Sequence, residues 1–217
     1  MAISAKQVKD LRELTGVGIM ECKDALNKSG GDMDEAVKLL RKKGLSAAAK
    51  KAGRITADGV VGSYIHAGGK LGVLIEVNCE TDFVGQTDEF QGLVKDLAMH
   101  VAAAEPRFVR REEVTEQVLQ EEREIYTEQA LASGKPQNVV EKIVDGKMNK
   151  FFEENCLLDQ AYVKDTSVTV GQLISNLIAK IGENISVRRF VRFKLGEGLE
   201  KRQNDLAAEV KAQLQGK

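Results

Sequence analysis

Hydrophobic residues along this chain repeat first at helical spacing, then at strand spacing, then at helical spacing again. Val8 and Leu11 face one way before the break Thr15-Gly16-Val17-Gly18, and Ile19, Cys22, Ala25 and Leu26 form a second stripe. Met33, Ala36, Val37 and Leu40 supply a third, behind an Asp32-Met33-Asp34-Glu35 stretch with the spacing of a capping box. Gly44 is expected to stop this third helix. Residues 1–53 therefore read as a three-helix module, too small to be very stable alone and of a size used for docking.

After a charged, glycine-punctuated connector from Lys50 to Gly59 the pattern turns to strand. Val60 to Ile65, the turn His66-Ala67-Gly68-Gly69, and Lys70 to Cys79 predict a β-hairpin. Four helical segments follow. Phe90 to Val101 and Val140 to Phe152 are amphipathic, and a charged run covers Val114 to Ala132. The last helix, Val170 to Ile181, is bracketed by a Thr169/Gln172 capping box and by Gly182. The alternation Ile185, Val187, Arg189, Val191, Phe193 predicts a third strand that joins the hairpin. The fold class is thus α+β: the three-helix module, then a core over 54–217 in which a small antiparallel three-stranded sheet packs with helices. One sheet face can be covered by those helices. The other is rich in Val and Ile and is expected to pack on a second copy of the chain, giving a homodimer. The tail from Gly198 to Lys217 reads as a polar helix with a thin seam of Ala207, Val210 and Leu214.

Composition narrows the class. Apolar residues make up 42% and charged residues 30% of 217, as in a helix-rich globular protein. No apolar stretch is long enough to span a membrane, and the N-terminus has no signal-peptide pattern. Cys22, Cys79 and Cys156 are far apart and lack metal-ligand spacing, which fits reduced thiols in a cytoplasmic protein and no bound metal. The net charge is −1, but residues 1–54 carry 12 Lys/Arg against 7 Asp/Glu. Seven of those basic residues lie between Lys38 and Arg54 without an acidic one. Such a run could follow phosphates or solvate a linker, and the absence of interleaved aromatic residues favours the linker.

Enzymatic apparatus is missing from the pattern. There is no phosphate-binding glycine loop, no nucleophile elbow and no His-Glu-x-x-His, and His66 and His100 are the only imidazoles. One stretch stands out, Asn78-Cys79-Glu80-Thr81-Asp82-Phe83-Val84-Gly85, between the best strand and a strongly amphipathic helix. Either Phe83 anchors the underside of that helix and Asp82 forms the turn, or the loop presents an aromatic wedge beside a carboxylate.

Several ordered motifs resemble the elongation factor Ts family in its short, bacterial form. They include Leu11-Arg12, Thr15-Gly16, Gly18 with Met20, Cys22-Lys23, Ala25-Leu26 and Lys50-Lys51-Ala52. Further along come Glu76 to Val84, Ala98-Met99-His100, Gly134-Lys135-Pro136, Gly171-Gln172-Leu173 and Ile181 to Ile185. The resemblance implies a UBA-like first module and a guanine-nucleotide exchange factor without covalent catalysis or cofactor. Its implied partner is elongation factor Tu in the GDP form, with no direct nucleic-acid contact. It also implies that Thr81, Asp82, Phe83 and Val84 disturb the Mg²⁺ region of the partner. Lys9, Arg12 and Met20 would dock on its nucleotide domain, and His66 would face another of its domains. The competing reading is an adaptor or RNA-associated factor that uses the Lys38 to Arg54 run on phosphates, which requires strongly salt-dependent binding.

Overall fold

The structure, a computed structural model, describes residues 3–134 and 136–199. The helix expected over 198–217 therefore falls, from residue 200 on, outside the described residues, as does Lys135 of the Gly134-Lys135-Pro136 motif. The architecture is α+β, as the hydrophobic pattern predicts.

Helix α1 (Ala5–Thr15) opens on a reciprocal capping box between Ser4 and Gln7 and closes on Gly16 at φ +67°. Helix α2 (Ile19–Lys28) follows, then α3 (Met33–Lys51), capped by the Asp32 carboxylate, which accepts from the Glu35 N–H. Glu35 does not reach back, because the Asp32 N–H already donates to the Ser29 carbonyl. Val8, Leu11, Cys22, Ala25, Leu26, Ala36 and Leu40 form a small core of their own.

The structure corrects two details of this module. Ile19 does not belong to the inward stripe; it is 55% exposed, whereas Cys22, Ala25 and Leu26 are buried. Nor does Gly44 stop α3, which continues to Lys51. The residues beyond it, Leu45-Ser46-Ala47-Ala48-Ala49, are good helix formers, and Gly44 keeps a right-handed φ instead of the left-handed one a cap needs. Gly44 is buried against Ala179 and Asn176 of the last helix, and Ala48 belongs to the large core. The basic run from Lys38 thus lies mostly on the exposed side of a helix and not in a linker, and the expected boundary at residue 53 falls just past that helix's end.

Strands β1 (Asp58–Ile65) and β2 (Leu71–Cys79) form the predicted hairpin, with Gly68 and Gly69 at positive φ in the turn. A helical turn, α4 (Asp82–Gly85), leads to α5 (Asp88–Ala104), which lies across one face of the sheet. Gly62 makes that approach possible, since a Cβ there would overlap the Val94 side chain. Helices α6 (Glu116–Ala132) and α7 (Gln137–Asn155) pair around Ala130, Val140, Val144 and Met148. A short hairpin of β3 (Ala161–Tyr162) and β4 (Asp165–Thr169), which the hydrophobic pattern does not predict, comes next. Helix α8 (Val170–Ile181) has the predicted capping box and ends on Gly182 at φ +90°. Strand β5 (Ile185–Lys194) completes the sheet in the order β1-β2-β5, antiparallel throughout.

The alternation read from β5 does not follow one face. Val77 pairs with Val187 but Glu76 pairs with Arg189, so Arg188 is an extra residue in the strand. Ile185 and Val187 consequently point into the core, while Val191 and Phe193, two and four residues past Arg189, lie on the opposite face. The bulge also brings two consecutive arginines to Glu76, Arg188 at 2.9 Å and Arg189 at 2.7 Å. Their hydrogen bonds hold its carboxyl below the usual carboxylate range.

Candidate functional site

The Thr81–Val84 stretch is a single helical turn, not an open loop, and its four residues divide by direction. Thr81 is the N-cap, accepting from the Val84 N–H at 3.5 Å. Val84 is buried in the main core. Asp82 is exposed, and Phe83 is 81% exposed. Phe83 therefore does not anchor the following helix; that place belongs to Phe90, which is fully buried.

The turn is pinned on both sides. Thr81 donates twice to the Glu183 carboxylate, from Oγ1 at 2.8 Å and from its N–H at 3.1 Å. The Thr87 hydroxyl donates to the Val84 carbonyl at 2.8 Å, and the Gln91 amide donates to the Gly85 carbonyl at 2.6 Å. Cys79 lies beneath, with its Sγ 3.1 Å from the Thr81 carbonyl, and burial holds its thiol above the ordinary range. The result is an aromatic ring and a carboxylate held in solvent on a backbone with little freedom. Burying that ring against a partner is worth about 1.5–3 kcal/mol.

Lys9, Arg12 and Met20 are all exposed, Met20 by 72%. Lys9 pairs loosely with Glu13 at 3.7 Å. Leu14 and Ile19 are exposed beside them, so the turn between α1 and α2 carries three large apolar side chains in water. The sequence pattern missed Leu14 and Ile19, because an exposed apolar residue at a helix end has the same spacing as an inward one. His66 is exposed at the hairpin turn with Nδ1 3.0 Å from the Tyr64 hydroxyl. It stands at one end of β2 and the Thr81 turn at the other, roughly 30 Å apart for nine residues of extended chain. The structure thus presents separate surfaces, not one pocket.

The remaining groups with chemical potential are used structurally. His100 is fully buried; its Nε2 lies 2.9 Å from the Gln160 Oε1, and its Nδ1 accepts from the Val163 N–H at 3.3 Å. Burial depresses its pKa. All three cysteines are free and buried, and burial pushes the Cys156 thiol up to about 11. Among the described residues no three His, Cys, Asp or Glu side chains gather as a metal site, and no helix is long and apolar enough to cross a membrane.

The family model described as Elongation factor TS matches residues 2–197. The elongation factor Ts of Geobacter metallireducens is 60% identical over 212 residues, covering 98% of each chain. That of Desulforamulus reducens is 60% identical over the same share, and that of Carboxydothermus hydrogenoformans 58%. Identity at this level over nearly the full length leads to one conclusion: the chain belongs to the elongation factor Ts family of translation elongation factors.

Proposed function

We propose that the protein is a guanine-nucleotide exchange factor that binds elongation factor Tu in its GDP form and speeds the release of GDP. The observation that carries this reading is the exposure of Phe83 beside the exposed Asp82 on a turn fixed by Glu183, Thr87 and Gln91. A rigid apolar wedge needs no ordering at the moment of contact, so its burial energy goes into displacing what it meets. The neighbouring carboxylate suits the disturbance of a Mg²⁺ site, because that ion is held by oxygen ligands and neutralises the nucleotide phosphates. No covalent bond forms or breaks, so the action is exchange and not enzymatic turnover. By linkage, a factor that weakens GDP binding binds the GDP form less tightly than the empty form by the same free energy.

One side chain is not enough. An acceleration of about 10³ to 10⁴ requires roughly 4 to 5.5 kcal/mol at the release barrier, whereas the Phe83 ring offers about 1.5–3 kcal/mol. The second anchor is the α1–α2 surface of Lys9, Arg12 and Met20, with Leu14 and Ile19 adding apolar area. His66 supplies a third contact at the far end of the hairpin. Surfaces this far apart call for a protein partner and not a small molecule. Release of labelled GDP from purified elongation factor Tu, with and without this protein, tests the reading. Faster release is expected, and an unchanged rate would overturn it.

The same reading includes a homodimer. The sheet face away from α5 carries Val61, Ile65, Leu74, Val191 and Phe193 in register across three strands, all exposed. A twofold copy laid on this face would remove an apolar patch that one layer of helices leaves in water. Cys156 lies buried away from solvent, which argues against an intersubunit disulfide, and three free thiols suit the reducing cytoplasm. Light scattering at micromolar concentration should give twice the chain mass, and a strict monomer would refute the dimer.

A further inference from the structure

The wedge is held by a segment far from it in sequence. Glu183 and Asn184 form the turn between α8 and β5, and they meet Glu80 and Thr81 in a reciprocal clamp. The Glu183 carboxylate accepts the Thr81 N–H at 3.1 Å and the Thr81 hydroxyl at 2.8 Å. In return the Glu80 carboxylate accepts the Asn184 N–H at 2.6 Å and lies 3.4 Å from the Arg54 guanidinium. The Asn184 side chain is buried, and its amide donates to the Arg54 carbonyl at 3.0 Å and the Ala52 carbonyl at 3.5 Å, just past the end of α3.

We infer that Glu183 is a positioning residue for nucleotide exchange, acting through Thr81 to aim Phe83 and Asp82; this rests on the exchange reading above. The argument is one of direction. Thr81 is the N-cap of α4, and its hydroxyl oxygen faces the Val84 N–H at 3.5 Å, a long bond, so the cap by itself holds the start of the turn weakly. Donation of that hydroxyl's proton to Glu183 points an oxygen lone pair toward Val84. The second bond to Glu183, from the Thr81 N–H, fixes the peptide plane entering the turn. Both bonds are charge-assisted, so they are stronger than the cap they orient. Two consecutive outward residues, Asp82 and Phe83, take their direction from that peptide plane. A neutral amide cannot replace the carboxylate, because it has one acceptor oxygen for two donors and would present its NH₂ group to one of them.

The test is a set of exchange measurements on the full chain. Glu183→Gln should slow stimulated GDP release by about tenfold, less than the roughly hundredfold that a full 1 Å misplacement can cost. The readout that separates positioning from mere structure is additivity. In the double variant Asp82→Ala/Phe83→Ala the wedge is already gone, so adding Glu183→Gln should change the rate by less than about twofold. An equal loss in both backgrounds would mean that Glu183 acts through stability or another surface, and would overturn the inference. Thr81→Val removes the hydroxyl donor from the other side of the clamp and should reproduce the result if Glu183→Gln folds poorly. Thr81→Ser, which keeps both donors to Glu183, should recover most of the exchange that Thr81→Val loses. If the parent does not speed GDP release, the exchange reading fails and the inference with it; if the parent does and the Asp82/Phe83 double variant matches it, the exchange reading stands and the inference falls with the wedge. If that variant is impaired while Glu183→Gln and Thr81→Val are not, only the positioning role falls.

Discussion

The turn α4 and the helix α5 that follows it begin alike and end in opposite places. Each opens on a threonine N-cap followed by an acidic residue, Thr81-Asp82 and Thr87-Asp88, and each carries a phenylalanine in its first turn. Phe83 stands 81% exposed, whereas Phe90 is fully enclosed by the main core. The difference is where each backbone is tied. The α4 turn sets only Val84 into the core and is otherwise held by polar bonds from Glu183, Thr87 and Gln91, which fix it without covering its outer side chains. The α5 helix is held by its apolar face against β1 and β2. Polar fastening permits an exposed ring to be rigid, and apolar fastening requires the ring to be buried.

This contrast makes the two phenylalanines a matched pair. Phe90→Ala leaves a cavity in a core that cannot fully collapse and should cost about 3–5 kcal/mol in urea unfolding. Phe83→Ala should leave the unfolding midpoint nearly unchanged, within about 0.5 kcal/mol. It should instead slow GDP release from elongation factor Tu by some thirtyfold, the equivalent of about 2 kcal/mol at an interface. Asp82→Ala should follow Phe83→Ala, slower in exchange and parental in stability. A destabilised Phe83→Ala protein that exchanges normally would erase the distinction between the two regions.

Much of the helix and strand order was legible because burial imposes a period, and the misreadings fall where a single residue changes that period. The extra Arg188 shifts β5 by one place, so an alternation that looked continuous serves both faces of the sheet. The β3–β4 hairpin has no apolar alternation at all, since Asp165-Thr166-Ser167 is polar and exposed. At the site, Phe83 and Asp82 could be picked out as candidates, but their exposure could not. Exposure depends on Glu183, a hundred residues further on, and no local pattern announces such a clamp. Leu14 and Ile19 were missed for the complementary reason, being apolar residues that fit a helical stripe yet face water.

His100 sharpens the comparison from the core side, because it is a polar group on α5 held as tightly as the wedge turn. Its Nδ1 accepts from the Val163 N–H, so it must be unprotonated there, and burial depresses its folded pKa below the ordinary 6.5. Below about pH 6.5 the unfolded chain takes up a proton that the folded chain refuses, so stability falls with pH until the folded value is reached and then levels. Glu76, held down by its arginines, adds its own loss only at lower pH, below its ordinary 4.5. His100→Gln keeps a donor and an acceptor in nearly the same places. It should cost less than about 1.5 kcal/mol at neutral pH and flatten the decline between pH 6.5 and 5. A slope identical to the parent's would mean that another group carries it.

The smallest expected effect tests how the N-terminal helices are joined to that core. Gly44 lies inside α3 with right-handed backbone, so it pays the entropy of a helical glycine without using its conformational freedom. A Cβ at this position would meet the Ala179 Cβ at 3.5 Å and the Asn176 Oδ1 at 3.8 Å, both ordinary contact distances. Gly44→Ala should therefore stabilise the protein by about 0.5–1 kcal/mol, chiefly by restricting the unfolded chain. Gly62→Ala is the opposite case, since its Cβ would overlap Val94 where α5 crosses β1, and it should destabilise. Exchange activity should be parental in Gly44→Ala, because the α1–α2 surface keeps its place when the α3–α8 crossing is undisturbed. Loss of stability in Gly44→Ala would show that the two helices are closer than ordinary contact allows. Faster or slower exchange with stability gained would show instead that the crossing sets the approach of Lys9, Arg12 and Met20 to the partner, and that the first three helices and the wedge are tuned against one another through α3.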